Sequence, residues 1–549
     1  MRAHHTRRAV LGAAIAAAGA GVLAACSDSS GTGHGSMNHG GSTPTATPQD
    51  YVAPDTPEGY VAPDGPEVLG YEEARGSGPV RSFKLTATAT PLELGGGRTV
   101  KSWAYGDRLP GQEVRLTAGE TLALTLANNL PQDTSLHCHG ISMRNDMDGV
   151  PGVTQQPIRP GAEFTYRFVA AHPGTYWFHP HSGVQLDRGM YAPLIVEDPK
   201  EPLSYDKEWV VLLDDWVDGI DGSTPDSVLA ELRKGMGHGS GHHGHGSSTP
   251  SGSATATASG SPSPESRPSG PPRLLRGTKS NLLGGEAGDV AYPHYLINGR
   301  TPDDPSQFIA KPGDRIRLRI INAGGETAFR VALGGHRLTV THTDGFPVLP
   351  TETDALLVAM GERYDVLVTA EDGVFPLTAL AEGKKASSMA VLRTGGGELP
   401  APSVRPAELD RKVLKSAARL EPDESVAFSR RRPDRIMRIK LTGGMEKYDW
   451  AFDDEPYSPD RLYSVRDGER VRMVFINATD MWHPIHLHGH TFALAGINGS
   501  GARKDTAAVL PHRKVTVDFD ADNPGLWMLH CHNIYHSESG MMTTVAYRE

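Results

Sequence analysis

Cysteine is scarce. Three residues in 549, Cys26, Cys138 and Cys531, exclude a disulfide-stapled scaffold and leave each thiol a local role. Domains of ordinary size do not need disulfides, so the scarcity does not contradict export. A basic surplus is also lacking: 54 Lys and Arg against 65 Asp and Glu give a formal charge of −11, which disfavours nucleic acid as a partner. Long helical periodicity is missing. The Ala/Gly-rich run ending at Ala25 comes nearest to a membrane span, and it is too short and too interrupted by Gly to make one. What is present is 38% apolar residues, enough for real cores, 63 Gly and 42 Pro, which imply many turns, and 24 His, which need explaining. The length fits two to four domains.

The first 26 residues read as a targeting segment. Thr6-Arg7-Arg8-Ala9-Val10-Leu11 resembles a twin-arginine export signal, and Leu23-Ala24-Ala25-Cys26 resembles a bacterial lipobox. The expectation is a lipoprotein-type signal, with export to the cell surface or a periplasm-equivalent space and membrane attachment through lipidated Cys26. The alternative is an ordinary signal with an incidental Cys. Residues 27–76 are Gly, Ser, Thr, Pro and Asp without apolar periodicity, and are expected to be a disordered tether. A second such stretch, 223–287, holds Met236, His238, His242, His243 and His245, then a Ser/Pro/Ala tract. Its length predicts disorder. Its His and Met either collect copper or belong to a solvated spacer.

Elsewhere short alternating strands are separated by Gly, Pro, Asn and Asp, the pattern of β-sandwiches. Three segments repeat a Gly, an acid, an alternating strand and an Asn: Gly119 to Asn128, Gly313 to Asn322 and Gly468 to Asn477. Nine residues beyond each Asn the copies diverge into His137-Cys138-His139-Gly140, Val331-Ala332-Leu333-Gly334 and His486-Leu487-His488-Gly489. A later element repeats as well. Pro173-Gly174 leads to His179-Pro180-His181, and Pro524-Gly525 leads to His530-Cys531-His532. The middle copy has Gly373-Val374-Phe375-Pro376 there, without His. Three copies of one domain are predicted, over 77–200, 205–396 (interrupted by 223–287) and 424–549, with the middle one a spacer lacking copper ligands.

On a strand, residues i and i+2 share a face and lie roughly 7 Å apart. Each His-x-His therefore aims two imidazoles at one region, and four such pairs from two equivalent domains suit a small metal cluster between them. Cys531 lies between His530 and His532, so its side chain points to the opposite face. A thiolate, two imidazoles and a distant thioether are the ligand set of a blue-copper centre. The candidates are Cys531, His483, His536 and, as the weak axial ligand, Met541.

His483-Pro-Ile-His486-Leu-His488-Gly489 and His530-Cys531-His532-Asn-Ile-Tyr-His536-x4-Met541 resemble the C-terminal copper signatures of multicopper oxidases, a group that includes laccases and bacterial copper-tolerance oxidases. With the two earlier His pairs, the resemblance covers about residues 80 to 549 apart from the insert. It implies an all-β protein of three cupredoxin-like Greek-key β-sandwich domains and four copper ions. It places type 2 copper on His137 and His486. The type 3 pair falls on His139, His179, His181, His488, His530 and His532. Type 1 copper falls on His483, Cys531 and His536, with Met541 axial. In the family a type 1 His near the surface passes electrons inward, which makes His483 the candidate for electron uptake. Asp148, in Asn145-Asp-Met-Asp148-Gly149, matches an acid that assists proton delivery; the alternative is a turn-forming Asp-Gly. Two positions depart from the pattern. Cys138 stands where the family has a bulky residue, and alternation predicts a buried, inert thiol. Ser537, followed by Glu538, stands where many bacterial relatives have Glu.

The expected activity is four one-electron oxidations of a reducing substrate coupled to reduction of dioxygen to water. Cuprous ion is the favoured donor and phenols are compatible. A monomer is favoured. The rivals are a copper nitrite reductase-like enzyme, which needs fewer histidines than the eight counted, oxidation of organic donors as in ascorbate oxidases, and a copper-sequestering lipoprotein without turnover.

Overall fold

The three alternating segments form equivalent strands, Thr121–Asn129, Arg315–Asn322 and Arg470–Asn477, in a computed structural model that describes residues 46–235, 270–495 and 501–549. Each buries alternate apolar side chains: Leu122, Leu124 and Leu126 in the first, Ile316, Leu318 and Ile320 in the second, Val471, Met473 and Phe475 in the third. Each lies parallel to the opening strand of its own copy, Val80–Glu93, Lys207–Trp216 or Arg435–Thr442. Each is antiparallel on its other side to Ala162–Val169, Arg363–Thr369 or Lys514–Asp520. The second sheet of each copy repeats too. His137–His139, Phe329–Leu333 and His483–Leu487 pair antiparallel with Gly174–His179, Val374–Ala381 and Leu526–Cys531. Parallel neighbours that are remote in sequence, mixed with antiparallel ones, give Greek-key sandwiches, three in succession.

The repeated Asn has the same task in all three copies. The Asn128 amide donates to the carbonyls of Gln132 and Ile158, that of Asn322 to Thr327 and Val358, and that of Asn477 to Met481 and Val509. Its Oδ1 accepts from the backbone two residues on, at Leu130, Gly324 and Thr479. The side chain thereby closes the loop that delivers the next strand. Asn322→Ala, in the copy without paired histidines, is expected to lower stability by about 2–4 kcal/mol through orphaned buried carbonyls. Calorimetry should show an earlier transition, and Asn322→Asp should not restore it, because a carboxylate cannot donate to those carbonyls. An unmoved transition for the alanine variant would refute the loop-closing role.

Two expectations of disorder are corrected. The stretch 27–76 is ordered from residue 46: Thr47–Pro48 pairs with Ala162–Val169, Tyr60 bridges to Arg548, and Pro66–Ala74 is a helix. Proline at the start favours that helix, yet Val68 is its one buried residue, so no periodicity announces it. It is held by polar contacts, with the Val169 N–H donating to Glu72 and Arg75 donating to Asn523 and Ser142. The stretch 223–287 is ordered at both ends. Thr224 and Ser227 form a reciprocal cap on the helix Pro225–Leu232, which buries Val228, Leu229 and Leu232, and Lys279–Ser280 pairs with Gly285–Glu286. Met236, His238, His242, His243 and His245, like the signal at 1–26 and residues 27–45, lie outside the described residues.

Candidate metal centre

Strand register brings the histidine pairs together. His137 lies directly opposite His179, and His486 opposite His530. Alternation sends His486 and His488 to one face and His483 to the other, where Ile485 lies opposite Cys531. The first and third domains then meet face to face. The His137 and His488 rings stack 3.8 Å apart, and those of His139 and His486 stack 3.7 Å apart. All eight paired histidines are brought to one place. His181 is partly exposed and the others are buried. Three trios among them, His137/His486/His488, His137/His139/His179 and His181/His488/His530, hold their donor atoms within 4.8 Å of one another.

Hydrogen bonds fix the tautomers. The Nδ1–H groups of His137, His179, His486 and His530 donate to the carbonyls of Asp148 (2.8 Å), Pro180 (2.9 Å), Asp505 (2.9 Å) and Cys531 (2.9 Å). That of His488 donates to Asp148 Oδ2 at 2.8 Å. Each Nε2 is left with a lone pair aimed inward. Those of His137, His179 and His486 are buried without a partner, as are His139 Nδ1 and both nitrogens of His532. His488 and His530 set two Nε2 atoms 3.2 Å apart, where neither has a proton to offer. Burial and neighbouring imidazoles hold His139, His179, His181, His488, His530 and His532 far below the usual histidine range, so a second proton does not settle on these six rings. Each orphaned buried polar atom costs about 1–3 kcal/mol. A packing core does not gather so many, whereas a cluster of metal cations would take up one nitrogen from each of these rings.

The second site lies across the strand. His483 Nδ1 and His536 Nδ1 are 3.1 Å apart, and each is 3.7 Å from Cys531 Sγ. Asn533 accepts from the N–H groups of Tyr535 and His536 and caps the short helix Ile534–Glu538, which turns His536 back toward Cys531. Met541 is fully buried, and its carbonyl accepts from the Cys531 N–H. Burial pushes the Cys531 thiol up, so its thiolate needs a cation beside it. The residues fit a metal at both places.

Some expectations need refinement. His483 is itself covered: it is 0% exposed, and its outer nitrogen lies 2.9 Å from the Thr479 hydroxyl, next to the exposed Asp480. The middle domain is more than a spacer. Asp289 accepts from His536 Nε2 at 2.8 Å, and Gly361 packs against the rings of His139 and His532. Asp148 ends a short 3-10 turn and also reaches His488, so the turn-forming role and contact with the cluster coexist. Cys138 is fully buried, and burial raises its thiol pKa. Glu538 lines a small cavity with His179, His181, His530 and His532, and burial raises its pKa.

Sequence reasoning missed Asp505, Asp289, Arg363 and His490. Asp505 Oδ1 lies 3.0 Å from His139 Nε2 and 2.8 Å from Arg363 Nη1. Burial would raise its pKa, but the Arg363 guanidinium and the His486 bond hold it below the ordinary aspartate range. His490 Nδ1 donates to the His488 carbonyl, and its Nε2 lies 2.6 Å from the Tyr547 hydroxyl. His490 alone carried a local signal, as the third histidine of His486-Leu487-His488-Gly489-His490.

Comparison with known proteins agrees with this geometry. Family models described as multicopper oxidase match residues 86–201, 277–397 and 430–549. Multicopper oxidase MmcO of Mycobacterium tuberculosis is 47% identical over 481 residues, 87% of this chain and 90% of that protein. The chain is a multicopper oxidase. A multicopper oxidase is an oxidoreductase with a copper cofactor that uses dioxygen and a reducing substrate such as a metal ion or a phenol. A copper resistance protein A homolog of Pseudomonas syringae pv. tomato is 29% identical over 85% of this multicopper oxidase and 92% of its own length. Among solved structures, a multi-copper oxidase from Pseudomonas thermotolerans superposes with a TM-score of 0.61 at 25% identity, covering 85% of this chain and 99% of that one. The laccase of Botrytis aclada shares the fold at a TM-score of 0.66 and 22% identity, over 88% and 90% of the two chains. The three sandwiches are thus cupredoxin-type domains.

Proposed function

We propose that this oxidase couples four one-electron oxidations of a reducing substrate to the four-electron reduction of dioxygen to water, with cuprous ion as the favoured donor. The observation that carries the reading is the set of inward imidazole nitrogens, shared by two domains and joined to a buried Cys531 through one strand. Type 1 copper would be held by His483, Cys531 and His536, with Met541 as a weak further ligand, and type 2 copper by His137 and His486. The type 3 pair is assigned to His139, His179, His181, His488, His530 and His532. Copper bound there supplies one-electron redox carriers.

The chain's own residues do the rest. Cys531 is bonded in sequence to His530 and His532, so one short segment links the two sites. Asp148 orients His137 and His488 and is placed to hold a proton beside the cluster. Electron uptake is assigned to His483 through Thr479, whose neighbour Asp480 is exposed and paired with His512 at 2.8 Å. The His512 imidazole at that surface is a ligand that copper accepts, and relatives named for copper resistance support the same donor. Laccases among the relatives keep phenols in play. The reading also includes export and lipid attachment at Cys26, with copper collection by the His/Met insert.

The test is the visible and EPR spectrum of copper-loaded protein, with copper counted and oxygen uptake followed on cuprous ion and on phenols. About four coppers per chain are expected from the ligand sets, with a blue thiolate band, type 1 and type 2 signals, and oxygen consumed without peroxide release. Full loading without the blue band, or no oxygen uptake with any donor, would leave copper sequestration as the function.

A further inference from the structure

Among the described residues the middle domain contributes no histidine to the cluster, yet its turn between Ala355–Val358 and Arg363–Thr369 forms a floor beneath it. Gly361 has a φ of +80°, and a Cβ there would stand 3.0 Å from both His139 Cε1 and His532 Cδ2. Glycine is needed for backbone shape and for close approach together. Two residues on, the fully buried Arg363 donates to Asp505 (2.8 Å) and to the Thr175 carbonyl (3.0 Å), so one guanidinium touches the first and third domains. Its own backbone N–H donates to Asp344 Oδ1, and Asp344 Oδ2 accepts from the N–H groups of Asp505 and Thr506. Lys504 lies 3.1 Å from both Asp344 and Glu362. Five charged side chains from two domains are thereby locked together against the cluster.

Asp505 is the part of this network that meets the histidines. Its carboxylate lies 3.0 Å from His139 Nε2, and its carbonyl accepts from His486 Nδ1. A proton held on His139 Nε2 leaves Nδ1, buried and unpartnered, facing the cluster. We infer that Arg363 is a positioning residue for the copper cluster: it fixes Asp505 so that His139 and His486 present the correct nitrogens. The inference rests on the ligand assignment proposed above.

The experiment compares holoenzymes of wild type, Arg363→Met, Arg363→Lys and Arg317→Met. Arg317 is equally buried and pairs with Asp365 at 2.6 Å, but it touches none of the eight cluster histidines, so it controls for the loss of a buried ion pair. Arg363→Met is expected to alter the type 2 EPR signal and the near-ultraviolet type 3 absorption. It should also surrender copper to a chelator at about tenfold lower concentration, while the blue type 1 band persists. Arg317→Met should lower the melting temperature with the wild-type spectrum intact. Arg363→Lys keeps the charge without the fork and should fall between; it also serves should the methionine variant not fold. A wild-type spectrum and wild-type copper retention in either Arg363 variant would overturn the inference. A wild type lacking type 2 and type 3 signals would instead sink the ligand assignment itself.

Discussion

Cys531→Ser is expected to lose the blue absorption and to consume oxygen roughly 1,000-fold or more slowly, the scale seen when one member of a group acting as a unit is removed. Two effects act at the same atom. A hydroxyl is a hard, weakly acidic donor, whereas the trio His483, Cys531 and His536 calls for a soft thiolate. The thiolate is also the sulfur end of the covalent link to His530 and His532, so electrons arriving at this site lose their route. The cluster ligands are untouched, and type 2 signals should remain. Cys138→Ala is the matched control. That thiol is just as buried and also lies between two histidines of a His-x-His, but alternation turns it into the core of the first domain. It should cost about 1 kcal/mol of stability and leave colour and oxygen uptake alone. Equal loss in both variants would mean that the Cys531 effect is one of folding.

Much of this site can be read from the chain because a strand has a period of two. His483, His486 and His488 fall on opposite faces for that reason alone, and so do Cys531 and its flanking histidines. The repeat adds the domain count, and the Asn of each copy proves to close the same loop. Other features depend on how domains dock, which no local period encodes. Arg363 and Asp505 are 142 residues apart, and Asp289 meets His536 across 247. The full burial of His483 is of the same kind, since Trp450 and Thr479, which pack against it, are not announced by the His483–His488 motif. The helix Pro66–Ala74 escaped notice for the opposite reason: one buried side chain leaves no pattern, and the contacts that hold it are polar and distant in sequence.

Asp148 is where local shape and chemistry must be separated by experiment. Its carbonyl accepts from His137, its Oδ2 accepts from His488, and Gly149 follows with a φ of +82°. Asp148→Asn keeps a residue that suits the turn and keeps the carbonyl contact, but it removes the charge and the capacity to hold a proton. If the carboxylate serves the cluster, Asp148→Asn and Asp148→Ala should both lose oxygen uptake about 100-fold. The blue band should stay at full strength in both, and donors should still reduce the type 1 site at the wild-type rate. If the residue only shapes the turn, Asp148→Asn should match wild type in oxygen uptake while Asp148→Ala loses stability. Asp148→Glu tests placement: the charge returns one methylene out of register, in a site where the wild-type oxygen lies 2.8 Å from His488 Nδ1. A proton-holding role predicts partial recovery over the asparagine variant, together with a changed dependence of rate on pH. A purely orienting role predicts no recovery, since the longer side chain would push the His488 ring out of line.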